Sequence, residues 1–162
     1  MVMKQSLLAA EEQTVRAALT TVEDVERVVL GMTRQDAETR QSRDILCSVI
    51  DRTLKATPPV RPSVAARVLG LTEKTVRHWA TEGVLTVKQA TPDSPKRLDP
   101  ERLHEVLHLV RDLRAAGRTR GLLDEVWRRL NDSALLDRED LQESLAQMRR
   151  GEGTVLVARD DG

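Results

Sequence analysis

The sequence predicts a mainly α fold with one small β-hairpin, and two observations lead to this fold class. Apolar residues recur at spacings of three and four along most of the 162-residue chain, which is the period of an amphipathic helix. The stretch VLTVKQATPDSPKRL (84–98) instead places two short extended segments around a turn rich in Pro, Asp and Ser, which is typical of a hairpin. The chain therefore combines many helices with very little sheet.

The elements follow one another with clear boundaries. The segment ATPPVRP (56–62) is the strongest break, because proline cannot continue a helix and pushes its predecessor to an extended conformation. Helices are expected at about 4–18, from a cap at Thr21 onward, and at about 35–55, 63–69, 72–81, 100–116, 119–130 and 137–149. TVLVA (154–158) is expected to form a short strand. Three regions result: an N-terminal helical region (1–57), a central domain (61–130) and an acidic C-terminal region (131–162).

Charge is balanced overall, with 26 basic and 26 acidic residues, but it is unevenly distributed. Residues 61–130 hold 14 basic and 9 acidic side chains, whereas residues 131–162 hold 4 and 8. A basic centre indicates an anionic partner. Cys47 is the single cysteine, so a disulfide framework is excluded, and its apolar neighbours predict a buried thiol. No apolar run approaches membrane-span length, and a cytoplasmic protein without a cofactor is expected.

The segment RPSVAARVLGLTEKTVRHWATEGVL (61–85) predicts two short helices in close contact. Ala65 and Ala66 allow a close crossing, Gly70 permits a reversal with positive φ, and Thr72 can cap the second helix. The second helix then has an apolar face and a polar, basic face; the apolar face carries Val76, Trp79 and Ala80, and the polar face carries Lys74, Arg77 and Thr81. A helix of this kind fits a DNA major groove, although an ordinary helical hairpin shows the same spacing.

Four pieces of the central domain, in order, resemble MerR-type and excisionase-type DNA-binding proteins. The first two resemble the recognition helix and the strand after it: Thr72 with Thr75-Val76-Arg77-His78-Trp79, then Gly83-Val84-Leu85. KRLDPERL (96–103) is similar to the end of the family's wing, and Leu113-Arg114-Ala115-Ala116-Gly117-Arg118-Thr119 to its next helix junction. Leu98 and His78 depart from the family's aromatic residues. The resemblance implies a mainly α, winged helix-turn-helix core with a small β-hairpin wing, an N-terminal helical extension and a short C-terminal strand.

The same resemblance implies a function and a set of site residues. The chain is expected to be a non-enzymatic, dimeric transcriptional repressor or autoregulator that binds double-stranded DNA. Arg77 would hold a phosphate, and Lys96 and Arg97 of the wing would hold flanking backbone. The implied DNA-binding set is Thr72, Glu73, Lys74, Arg77, His78, Lys96 and Arg97. The N-terminal helices either form the homodimer interface or add to the core of the central domain.

Two alternatives remain open. An antitoxin-type protein would hold a partner protein with its acidic C-terminal segment and use DNA binding for autoregulation. A remote alternative is a zinc metalloprotease, since LHEVLH (103–108) contains the His-Glu-x-x-His pattern, in which His104 and His108 share a metal and Glu105 acts as base. The helical wheel of residues 100–116 instead predicts that these three residues face solvent. No catalytic residue and no dedicated metal site is therefore expected among them, and adventitious binding of nickel or zinc by the exposed His104 and His108 stays open.

Overall fold

The computed structural model describes residues 2–136 and the single positions 143 and 146, and its described part is mainly α with a two-stranded antiparallel sheet. The mainly α prediction is confirmed. The helices are α1 (Val2–Gly31), α2 (Ala37–Ala56), α3 (Pro62–Leu69), α4 (Glu73–Thr81), α5 (Pro100–Ala115) and α6 (Leu122–Leu136); the strands are β1 (Val87–Lys88) and β2 (Arg97–Leu98).

The chain divides into two compact units, one ending at Leu123 and the other beginning at Asp124. None of the helices in the described ranges is long and apolar enough to cross a membrane. The predicted helix at 137–149 and strand at 154–158, together with the partner-binding segment they would form, lie outside the described residues apart from the helical positions 143 and 146.

Helix α1 is continuous where the sequence predicted two helices. Thr21 was expected to cap the second of them, and this prediction is wrong: its hydroxyl donates to the Ala17 carbonyl at 3.0 Å from inside the helix. A threonine can bond back to the preceding turn as well as cap a new one, so the residue type does not decide between the two. The buried face of α1 carries Val15, Leu19 and Val22 and packs against α2 and α3.

The connection between α3 and α4 has the predicted chemistry. Gly70 ends α3 with a φ of 64°, and the Leu71 amide donates to the Ala66 carbonyl at 2.9 Å. Thr72 then caps α4 by accepting a hydrogen bond from the Thr75 amide at 3.2 Å. Ala65 and Ala66 are buried at the close approach.

The hairpin is shorter than predicted, and a residue from the segment before α3 pairs with its second strand. Val87 pairs with Leu98 and Lys88 with Arg97, and Val60 forms an additional antiparallel bridge to Leu98. Val84 and Leu85 were expected in the first strand but precede it. Both are buried, and their amides donate to the Trp79 carbonyl at 3.0 and 3.3 Å, so they anchor the hairpin to the end of α4.

Helix α5 begins with Pro100 in its first turn and buries the predicted apolar face, made of Leu103, Val106, Leu107, Val110 and Leu113. The expected exposure of His104 is wrong, because only 5% of the residue is accessible. Cys47, expected in the core, is exposed. Helix α6 begins after Gly121, three residues later than predicted.

Candidate nucleic-acid interface

Helix α4 presents the polar face that its sequence predicts. Val76 and Trp79 are buried, which fixes the rotation of the helix about its axis. All the candidate residues of α4 and its cap are exposed: Thr72, Glu73, Lys74, Arg77 and His78. The helix therefore offers donors and acceptors along one accessible surface, beginning at its N-terminal turn.

A groove between α4 and the hairpin brings three of the predicted residues together. Its volume is about 410 Å³, and its walls include Arg77 from α4 and Lys96 and Arg97 from the hairpin. Lys74 and His78 do not line it. Arg61, which precedes Pro62 at the start of α3 and was not among the predicted site residues, also lines the groove. We call these four cations, Arg61, Arg77, Lys96 and Arg97, the basic groove.

Carboxylates of the chain already pair with three cations of the basic groove. Arg77 contacts Glu73 one turn earlier on α4, at 2.6 Å from Nη2 to Oε1. Glu11 of α1 pairs with Arg61 at 2.9 Å and with Arg97 at 3.3 Å. Lys96 forms no ion pair with any residue in the described ranges. An incoming anion therefore finds one unpaired cation and must exchange with carboxylates at the others.

Other ion pairs hold α1 and the hairpin in place. Glu12 pairs with Arg67 and Arg16, both at 3.0 Å, and the hydrogen bond from Arg67, followed by that from Arg16, lowers the pKa of Glu12. At the hairpin, the Asp99 carboxylate lies 2.8 Å from Lys88 Nζ and raises the pKa of Lys88. These contacts position the walls of the basic groove.

A second polar cluster lies between α1 and α5. Nε2 of His104 is 2.8 Å from Oε1 of Glu26, and Nε2 of His108 is 3.0 Å from Oε2 of the same carboxylate. The two Nε2 atoms are 3.1 Å apart. We call Glu26, His104 and His108 the histidine cluster; it is a group of potential metal ligands.

The glutamate of the His-Glu-x-x-His pattern is not the one in this cluster. Glu105 is exposed and pairs with Arg102 at 3.0 Å on the same helix. Glu26 precedes His104 by 78 residues, so no local spacing in the sequence indicates that the two are neighbours.

No family model, curated protein or solved structure matches this chain. The likeness to MerR-type regulators therefore rests on short sequence motifs alone.

Proposed function

We propose that this protein is a sequence-specific, double-stranded DNA-binding transcriptional regulator with a winged helix-turn-helix core. In this proposal α4 enters the major groove and the β1–β2 hairpin acts as the wing. The observation that carries it is the basic groove, in which Arg77 of α4 and Lys96 of the hairpin line one surface. Two elements that approach DNA side by side need cations on the surface they share.

The proposed division of labour follows from where each side chain lies. Thr72, Glu73 and Lys74 are exposed at the N-terminal turn of α4, the part of a recognition helix that contacts base edges. Lys74 can donate to guanine, and Glu73 can accept from the cytosine amino group. Arg77, Lys96 and Arg97 are assigned to phosphates. Such contacts position the protein without specifying sequence.

The proposal includes a homodimer that acts as a repressor or autoregulator in the cytoplasm. A two-fold dimer binds an inverted repeat whose half-sites lie one or two DNA turns apart. Since α1 contributes part of its surface to the core of its own unit, only the outward faces of the N-terminal helices are available to a second copy. An inverted repeat in the selected DNA would support the two-fold dimer, and an asymmetric site would contradict it.

The decisive experiment is selection of genomic DNA fragments by the wild-type chain and by the double variant Lys74→Ala/Arg77→Ala. We expect the wild type to enrich a short inverted repeat and the variant to lose it, because one base-edge contact and one phosphate contact are removed together. A matched control is Arg52→Ala/Lys55→Ala, which removes two charges from exposed positions of α2. It should select the same repeat as the wild type.

Salt dependence separates the two roles. Removing the phosphate contact of Lys96 by Lys96→Ala should weaken binding to all sequences and reduce the slope of log K against log salt by about 0.9. Lys74→Ala should instead relax the preference at one base pair, worth about 1–3 kcal/mol. Equal selection by the wild type and the Lys74→Ala/Arg77→Ala variant would contradict the assignment of α4 as the recognition helix.

A further inference from the structure

We propose that the histidine cluster binds one divalent transition-metal ion and thereby links α1 to α5. The ligands are Nε2 of His104, Nε2 of His108 and the carboxylate of Glu26. This site goes beyond DNA binding, since none of its three residues lines the basic groove. Two histidines and one glutamate are also the ligand set of some zinc proteases, but here Glu105, the residue that would act as base in such an enzyme, is exposed and pairs with Arg102.

Hydrogen atoms can satisfy two of the three short contacts of the cluster, but not all three at once. If both Nε2 atoms carry hydrogen, each donates to a different oxygen of Glu26, and the two nitrogens lie 3.1 Å apart with no hydrogen bond between them. If one Nε2 carries a lone pair, that lone pair faces a carboxylate oxygen at 2.8 or 3.0 Å. A cation accepts electron pairs from all three groups at once.

The dimensions of the cluster suit an ion of this size. Zinc lies about 2.0–2.2 Å from nitrogen and oxygen ligands, so two ligands of one tetrahedral ion are roughly 3.3–3.6 Å apart. In the cluster the two Nε2 atoms are 3.1 Å apart, and they lie 2.8 and 3.0 Å from different oxygens of Glu26. Spreading the three side chains by about half an ångström therefore gives the separations that the ion needs.

Burial restricts the orientation of one ligand before an ion arrives. His104 is 5% accessible, so its ring is held by the surrounding core, and its Nε2 meets the Glu26 carboxylate at 2.8 Å. When Nε2 presents its lone pair to an ion, Nδ1 carries the hydrogen. That Nδ1 is buried with no hydrogen-bond partner among the described residues, so the ion satisfies Nε2 alone.

The ligand types and exposure define the class of ion. Two imidazole nitrogens and one carboxylate oxygen favour zinc, nickel, cobalt or copper over calcium and magnesium, which prefer oxygen ligands. The side chains of His108 and Glu26 are 41% and 31% accessible, so water can complete the coordination. The site is therefore expected to exchange its ion with solution.

The test is titration of chelator-treated, tag-free full-length protein with Zn²⁺ against a chromophoric competitor. We expect one ion per chain and a rise in Tm of about 5–10 °C when free Zn²⁺ exceeds its Kd a hundredfold. The variants Glu26→Gln and His108→Ala should each lose at least about tenfold in affinity, and with it about half or more of the rise in Tm at the same free Zn²⁺ concentration. Both positions are partly exposed, and circular dichroism of the metal-free variants verifies their fold.

Two matched controls locate the ion. His78→Ala removes the third histidine of the chain from the exposed face of α4, and Glu105→Gln removes the carboxylate of the His-Glu-x-x-His pattern. Both should bind Zn²⁺ as the wild type does. Wild-type affinity in Glu26→Gln would show that the histidine pair alone captures metal and would overturn the proposal. Loss of binding in His78→Ala, or no binding by the wild type, would overturn it as well.

Discussion

Arg114 holds the turn between α3 and α4 from a distance in sequence. Its guanidinium donates from Nη1 to the Leu69 carbonyl at 2.7 Å and from Nη2 to the Gly70 carbonyl at 3.0 Å. Carbonyls at the end of a helix have no partner within the helix, so this forked donor completes the hydrogen bonding of α3. The geometry of the α3–α4 helix-turn-helix therefore depends on Arg114, a side chain of α5.

Replacing Gly70 should destabilise the fold. Its φ of 64° is a conformation that other residues adopt at a cost, and a Cβ there would lie 3.1 Å from Nη1 of Arg114. We expect Gly70→Ala to lower the free energy of unfolding by about 1–2 kcal/mol, measured by urea denaturation. An unchanged denaturation midpoint would mean that the turn relaxes without strain.

Arg114→Ala should lower the free energy of unfolding by about 1–2 kcal/mol, because two carbonyls lose a charged donor. Arg27→Ala is the control, since among the described residues Arg27 forms only an exposed pair with Asp24, and its effect should stay below about 1 kcal/mol. Equal effects of the two variants in urea denaturation would contradict a special role for Arg114.

Individual residues also show where sequence reasoning succeeds. Gly70 and Thr72 were predictable, because positive φ and helix capping are local demands that few residue types meet. His104 was not. A helical wheel shows which face of α5 is apolar, but it cannot show that Glu26, far away in the chain, covers the polar residue beside that face. Arg61 was not predictable either, because only the tertiary fold brings it beside Arg77, Lys96 and Arg97.

Among the elements, the start of α2 is controlled by one carboxylate. Asp36 accepts a hydrogen bond from the Thr39 amide at 2.7 Å, and this bond lowers the pKa of Asp36. A carboxyl whose pKa is lower in the folded state adds stability above its unfolded pKa. That stability is lost as pH falls through the folded pKa.

We therefore expect wild-type Tm to fall more steeply below about pH 4 than the Tm of Asp36→Asn, whose amide oxygen can still cap the helix but does not titrate. Glu38→Gln, two residues further along, is the control and should follow the wild type. Parallel curves for Asp36→Asn and the wild type would show that this cap does not contribute to acid unfolding.

The ends of helices were predictable where a residue cannot continue a helix. They were not predictable where a residue fits both the interior and the start of a helix. Pro58 and Pro59 end α2 within a residue or two of the predicted position. Thr21 can sit inside a helix, and the apolar spacing on both sides of it fits a single α1. Likewise, Val84 and Leu85 are residue types that favour strands. Both are nevertheless buried with their amides bonded to the Trp79 carbonyl, without pairing to another strand.

At the scale of the whole molecule, α1 lies against the basic groove and supplies an acidic competitor for DNA. We expect Glu11→Gln to raise DNA affinity about two- to fivefold at low salt, since Arg61 and Arg97 no longer share an internal carboxylate. Glu12→Gln is the matched control: the neighbouring residue pairs with Arg67 and Arg16 instead. Equal affinities of the two variants for a selected DNA fragment would contradict the competition.

The continuity of α1 has a thermodynamic consequence. Glu11 at the basic groove and Glu26 at the histidine cluster belong to one unbroken helix and lie about 22 Å apart along its axis. If DNA displaces Glu11 by shifting α1 away from the basic groove, an ion that joins α1 to α5 opposes that shift, and metal and DNA would be antagonists. Thermodynamic linkage requires this effect on affinity to be mutual: the factor by which Zn²⁺ weakens DNA binding equals the factor by which DNA weakens Zn²⁺ binding. Under the proposed function, the protein would then release its DNA when the metal becomes abundant.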